Sequence, residues 1–130
     1  MVQRRDIIPP GMENIFERFR YAPGVLVDGT LYIAGQVGRD ANLAVVAGTE
    51  AQFVQAFENV GKVLRAAGGS FDDVVEMVTY HVDMRDLALF MEVKNRYFSG
   101  RLPAWTGVGV TALAMPGLMV EIKCTARLPS

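Results

Sequence analysis

Two side chains of this 130-residue sequence are candidates for chemistry, a carboxylate and an indole. Glu121 lies in the run VEIKCTAR, where every second residue is apolar, so it is predicted on the strand face opposite Val120 and Ile122. Judged by itself, such a carboxylate is most often a solvated strand residue. Trp105, the only tryptophan, lies in PAWTGVGV. It is either a packed aromatic of the core or an interface, or the wall of a pocket.

The other reactive side chains are predicted to be structural. His81, the only histidine, shares a predicted strand face with Met77 and Thr79, and a lone histidine in that setting is most often a satisfied structural residue. Cys124 alternates with apolar residues and is predicted to be a small core side chain. A single cysteine excludes an internal disulfide. One cysteine and one histidine also make no zinc-type ligand set, so neither a metal nor a cofactor is predicted.

Charge and composition limit the classes of partner that this protein is expected to bind. The chain has 13 basic and 14 acidic residues and no basic stripe, which argues against nucleic acid and membrane surfaces as partners. The start, MVQRRDIIPPG, has no apolar signal region, so a cytoplasmic location is predicted. Residues 102–120 carry no charge, but their prolines, glycines and alternation favour strand, turn and strand over a membrane span. The apolar fraction, counted with glycine, exceeds the usual ~45–50 %, which favours homo-oligomerisation.

Local patterns predict the elements that position these side chains. VLVDGTLYIAGQ (25–36) is typical of a hairpin turning at Asp28-Gly29. TEAQ predicts a capping box with Thr49 at the N-cap and Gln52 at the third helical position. Apolar residues then recur at helical spacing as far as a Gly-Gly pair.

The rest of the chain continues the alternation of strands and helices. We predict strands over 73–82, 105–113 and 118–127, a second helix over 86–98, and an edge strand at 43–47. The order predicts one α+β domain over residues 1–130, with two helices on one face of a mixed or mainly antiparallel sheet.

Taken in order, several segments resemble the RidA/YjgF family. They are IAGQVG, LRAAGGSFDDVVEMVTYHVDM, RYF, LPAWTGVGV and VEIKCTA, and the resemblance runs from about Tyr21 to Ala126. It implies a chorismate-mutase-like fold and a homotrimer with its sheets around a central barrel. It also implies a cleft for a small-molecule ligand at each subunit interface. The implied reaction is cofactor-independent hydrolysis of an enamine or imine to a carbonyl product and ammonia.

The resemblance also implies where the site residues lie. Glu121 matches the family's water-positioning glutamate. The substrate-binding positions correspond to Tyr21, Gly35, Gln36, Met91, Trp105 and Gly107. Judged without the family, Tyr21 is equally consistent with a strand-edge aromatic, and Gly35 with a bulge or a tightly packed glycine.

Several of these positions differ from those of the deaminase members. Trp105 occupies the position of the arginine that binds the substrate carboxylate with its planar fork. Met91 replaces an asparagine, Gly107 a cysteine or serine, and Ala34 a serine. The cleft is therefore expected to be more apolar than theirs. Arg101 or Arg20 could bind a carboxylate from another direction, although nothing in the spacing requires it.

Three functions are open at this point. The first is a RidA-like hydrolase of enamines or imines, with a substrate other than small 2-imino acids because Trp105 replaces the arginine. The second is a non-catalytic trimeric protein that binds or senses a small molecule. The third, an endoribonuclease, ranks last, because the sequence has neither a basic surface nor a histidine pair.

Overall fold

A computed structural model describes residues 2–129 and confirms the α+β class. These residues form six strands and three α-helices, one helix more than predicted. The strands are β1 (Arg4–Ile7), β2 (Gly24–Val27), β3 (Thr30–Val37), β4 (Val74–His81), β5 (Ala104–Gly109) and β6 (Val120–Arg127). The helices are α1 (Glu13–Arg18), α2 (Thr49–Ala66) and α3 (Leu87–Tyr97). Among residues 2–129, none of the helices combines the length and apolar character needed to cross a bilayer.

All six strands form one mixed sheet in the order β1-β2-β3-β6-β4-β5. Only β4 and β5 are parallel, and the α3 segment makes the crossover between them. β6 lies between β3 and β4 and is therefore central, whereas β5 is an edge strand that pairs with β4 alone. The fold thus places Glu121 in the middle of the sheet and Trp105 at its edge.

The core lies between α2, α3 and one face of the sheet. α2 buries Phe53, Ala56, Phe57, Val60, Val63 and Leu64, the amphipathic face that its spacing predicted. On α3, Phe90 and Val93 are buried. Phe90 packs edge-on against Phe53, with ring centroids 5.4 Å apart. This packing fixes α3 over the strands β4 and β5 that hold the candidate residues.

The predicted hairpin is confirmed. Asp28 and Gly29 both have positive φ, 46° and 87°, as a two-residue turn between twisted strands requires. The turn sets the register in which Leu31 and Ile33 face the core and Tyr32 faces out.

The predicted capping box is wrong. The N-cap is Gly48 rather than Thr49, and no side chain caps this end of α2. Gln52 is buried and used in tertiary structure instead: its amide donates to the Gly117 carbonyl at 2.9 Å and accepts from the Met119 N–H at 2.5 Å. Gln52 therefore ties α2 to the loop between β5 and β6.

Other element bounds also differ from the prediction. β5 ends at Gly109 rather than at 113, because its partner β4 ends at His81, which pairs with Gly109. β6 begins at Val120 rather than 118. The predicted strand at 43–47 is reduced to a single bridge between Arg39 and Val45. β1 and α1 were not predicted.

Candidate functional site

Glu121 and Gly35 lie in direct contact at an irregularity in the sheet. The register between β3 and β6 shifts between Ile33 and Gln36, so Gly35 lies in the bulged segment. A Cβ built on Gly35 would lie 2.6 Å from Oε1 of Glu121. A side chain at position 35 would therefore push this carboxylate aside, whereas with glycine it is half-buried and borders the Gly35 backbone. A carboxylate held against main chain in this way can orient a water molecule.

Tyr21 and Gln36 meet at a separate small cavity, which Arg39 and Asn59 also line. The cavity encloses about 30 Å³, room for one or two water molecules. The Gln36 side chain donates back to the Ala34 carbonyl at 3.0 Å. This cavity is too small for an imine substrate, whereas Tyr21 also lines an open surface groove together with Arg4, Phe16 and Arg20.

Trp105 is held by a hydrogen bond rather than left as a free donor. Its indole N–H donates to Oγ1 of Thr79 at 2.9 Å, and that hydroxyl shares a 2.7 Å hydrogen bond with Nε2 of His81. The Trp105 ring also contacts Phe90, at 5.9 Å between centroids. Trp105 is half-buried between β5 and α3, so it presents an apolar ring surface to a ligand and no spare N–H.

His81 is structural, as its strand face predicts. It is 1 % exposed, and its ring packs edge-on against Phe90 at 4.7 Å. Burial lowers its pKa, which Asp86 raises by a smaller amount, so the ring is neutral at physiological pH. Its Nδ1 has no hydrogen-bond partner among residues 2–129. Thr79 is the polar link from this buried imidazole to Trp105.

Cys124 is also a core side chain, as predicted. It is 1 % exposed, and burial raises the pKa of its thiol to about 12. The thiol stays protonated at neutral pH and is therefore a poor nucleophile. Within the part of the chain that the structure describes, no three metal-ligating side chains come together.

Gly107 lies beside the Trp105 ring on β5, and Met91 lies on α3. Met91 is 43 % exposed on α3, next to the buried Phe90. A Cβ on Gly107 would make ordinary contacts, 3.6 Å from both Thr79 and the Trp105 ring. Within one chain, no packing constraint therefore demands glycine at 107.

Lys94, a charged residue that the sequence analysis did not select, contacts the Trp105 ring. Nζ of Lys94 lies 5.0 Å from the centroid of the Trp105 ring, a cation–π contact. The available signal was that Lys94 interrupts the otherwise apolar face of α3. Arg101 and Arg20 are exposed, and among residues 2–129 only Lys94 makes such a contact with Trp105.

The candidate residues do not converge within one chain. Met77 pairs with both Cys124 and Trp105, so Trp105 lies on the sheet face that the helices cover. Glu121 pairs with Tyr80 and lies on the opposite, open face. We call Gly35 and Glu121 the carboxylate group, and Met91, Lys94, Trp105 and Gly107 the indole group. The two groups face different sides of the sheet.

Comparison with known proteins places this arrangement in a family. The family model described as endoribonuclease L-PSP matches residues 13–128. The RutC family protein YjgH of Escherichia coli is 36 % identical over 131 residues, covering 99 % of this chain and 98 % of the relative. The chain belongs to the RidA/YjgF family. Within that family, the mouse protein named 2-iminobutanoate/2-iminopropanoate deaminase is 40 % identical over 108 residues, covering 82 % of this chain and 79 % of its own.

Solved structures agree with the RidA/YjgF assignment. A structure of protein YjgH superposes with a TM-score of 0.89 at 35 % identity and covers 98 % of both chains. RidA from an Antarctic Psychrobacter species gives a TM-score of 0.80 at 38 % identity, covering 83 % of this chain and 88 % of that one. The six-stranded mixed sheet is therefore the fold of this family.

Proposed function

We propose that this protein is a cofactor-independent hydrolase of reactive enamines or imines whose substrate differs from small 2-imino acids. The observation that carries the proposal is the pair of groups described above, in a chain that belongs to the RidA/YjgF family. Glu121 and Gly35 are in contact, and Trp105, which the family resemblance aligns with the arginine, has its indole N–H bonded to Thr79.

The reaction needs little from the protein. An imine carbon is already electrophilic, so attack by water gives a carbinolamine, which collapses to a carbonyl product and releases ammonia. An enamine first takes a proton at carbon to give the iminium ion, which is the imine once it loses a proton from nitrogen. We assign Glu121 to accept a proton from the attacking water and to return it to the leaving amine. Positioning both partners supplies most of the rate gain.

We propose that the cleft forms between chains of a homotrimer. The open face of the sheet exposes large apolar side chains, with Tyr32 53 % and Val108 36 % accessible. β5 also has unpaired main-chain groups along one edge. A second copy would cover this surface and could bring its own carboxylate group to the indole group of its neighbour.

The substrate side of the cleft would be apolar. The Trp105 N–H is already bonded to Thr79, so the indole offers its face and not a donor. Met91 adds an exposed thioether where deaminases of the family have an amide. These surfaces suit an imine with a sizeable apolar substituent.

The test is turnover of a panel of imines. 2-Aminoacrylate and larger 2-imino acids are generated in situ, and ammonia release is followed above the spontaneous rate. We expect acceleration for the larger imines and its loss in Glu121→Gln. Glu76→Gln is the matched control, since Glu76 is an exposed carboxylate on the same face of the sheet. No acceleration by the wild type across the panel would favour the non-catalytic binding protein instead.

A further inference from the structure

The position of Lys94 has a consequence for the substrate. Its ammonium lies over the indole that replaces the family's arginine, at 5.0 Å from the ring centroid. A contact with a ring face fixes the cation without using its three N–H donors in conventional hydrogen bonds. Lys94 thus has donors available beside Trp105.

Within the described part of the chain, no carboxylate lies at ion-pair distance from Lys94. Among residues 2–129, ion pairs within 4.0 Å are confined to Arg85 with Asp83 and Arg96 with Glu50. Arg96 lies only two residues from Lys94 on α3, yet it is committed to Glu50 at 3.0 Å. Lys94 is partly exposed, and its positive charge, which has no partner carboxylate among residues 2–129, favours an arriving anion.

We infer that Lys94 binds the carboxylate of the substrate, in place of the arginine lost at position 105. The inference rests on the proposed function for the location of the cleft, and it names the substrate class as 2-imino acids with an apolar side chain. The carboxylate bonds to the Lys94 ammonium, and the apolar side chain lies against Trp105 and Met91. A lysine provides a point charge rather than a planar fork, so it fixes the carboxylate less rigidly and tolerates a displaced, larger substrate.

A pair of stable ligands isolates the role of the carboxylate. 4-Methyl-2-oxopentanoate is the hydrolysis product of a branched 2-imino acid, and 4-methyl-2-pentanone has a methyl group in place of its carboxylate. Their affinities are measured by calorimetry on the full-length protein, with Trp105 emission as a second signal of occupancy. We expect the wild type to prefer the keto acid by about 10- to 100-fold, the usual effect of one charge-assisted hydrogen bond.

Three variants complete the test. Lys94→Met keeps the apolar stem and should bring the two affinities within about threefold of each other, whereas Lys94→Arg should retain the preference. Arg96→Met removes a charge from the same helix and should leave the preference unchanged. Thermal unfolding of each variant checks that the fold is intact.

The outcomes separate this inference from the proposed function. Equal affinities in the wild type, or a preference that survives in Lys94→Met, would overturn the role of Lys94 even if imines are hydrolysed. A preference that depends on Lys94 in a protein that accelerates no imine hydrolysis would support the carboxylate site and overturn the hydrolase. Absence of binding by both ligands would overturn the role of Lys94.

Discussion

At the scale of single residues, the missing side chain at Gly35 determines where the Glu121 carboxylate lies. A Cβ built on Gly35 would lie only 2.6 Å from Oε1 of Glu121, so any side chain at position 35 would displace the carboxylate. Gly35 has no positive φ, so alanine there acts through its contact with the Glu121 side chain rather than through left-handed backbone strain.

Gly35→Ala should therefore lower kcat/KM for the best imine by at least about tenfold, because a displaced catalytic group loses most of its positioning advantage. Gly35→Ala introduced into the Glu121→Gln variant should lower kcat/KM almost no further, because both substitutions remove the same positioned carboxylate. A double-mutant cycle on ammonia release measures this. Additive losses would show that Gly35 acts elsewhere.

Thr79 links Trp105 to His81 and is fully buried. Thr79→Val keeps the shape but leaves the indole N–H and the imidazole Nε2 without this partner. We expect the free energy of unfolding to fall by about 2 kcal/mol, with a shift in the Trp105 emission. Thr79→Ser keeps the hydroxyl and should cost clearly less, about the value of one buried methyl group. Equal stabilities of the valine variant and wild type would contradict this role.

His81 predicts a pH dependence with a definite sign. Burial holds its folded-state pKa below the ordinary value of 6.5, so the unfolded chain takes up the proton first as the pH falls. Stability is therefore complete above about pH 6.5 and falls with pH until the folded-state pKa is reached, by at most ~1.4 kcal/mol per pH unit.

Because His81 is the only histidine, chemical denaturation between pH 7.5 and 5.5 can isolate its effect. His81→Gln should remove the part of the slope that begins near pH 6.5. Identical slopes in wild type and variant would mean that His81 is not the group responsible.

At the scale of elements, Gln52 joins α2 to the turn before β6 through hydrogen bonds to Gly117 and Met119, and a third hydrogen bond, to Val46, holds the loop that leads into α2. Gln52→Met fills a similar volume without polar atoms and leaves these partly buried main-chain groups without their side-chain partner. We expect a loss of about 2–4 kcal/mol in the free energy of unfolding. Gln55→Met, one turn along and bonded only to Asn59, should lose less than about 1 kcal/mol.

Which elements the sequence could predict depends on how local their causes are. The hairpin and α2 follow from nearby residues, namely a positive-φ pair and a continuous apolar face. β1 has only one buried residue, Ile7, and exists because it pairs with β2. Gln52 lies at the third position of a capping-box pattern, yet its side chain bonds to Gly117 and Met119 instead of capping α2. Local pattern cannot reveal such distant partners.

In the candidate site, too, features with local causes were predicted and features that depend on distant partners were not. Alternation in β6 correctly predicted that Glu121 lies opposite the core, because that face depends only on strand geometry. The Thr79 bond to Trp105 and the Lys94 ammonium above the ring were not predicted. Both depend on how α3 crosses from β4 to β5, which is a property of packing.

At the scale of the whole molecule, the proposed cleft forms only if several copies of the chain assemble. One chain presents its carboxylate group on the open face of the sheet and its indole group on the helix side. Light scattering should therefore give the mass of three 14.2 kDa chains at micromolar concentration. The mass of one chain would leave the two groups apart.

Complementation between defective chains tests the shared cleft most directly. Glu121→Gln and Trp105→Ala each remove one group, and each alone should give assemblies with little activity on the best imine. Unfolded together in equal amounts and refolded, they should regain about a quarter of the wild-type activity, the share of clefts that receive an intact group from each of two chains. Activity no greater than that of the two variants refolded separately would contradict a cleft built from two chains.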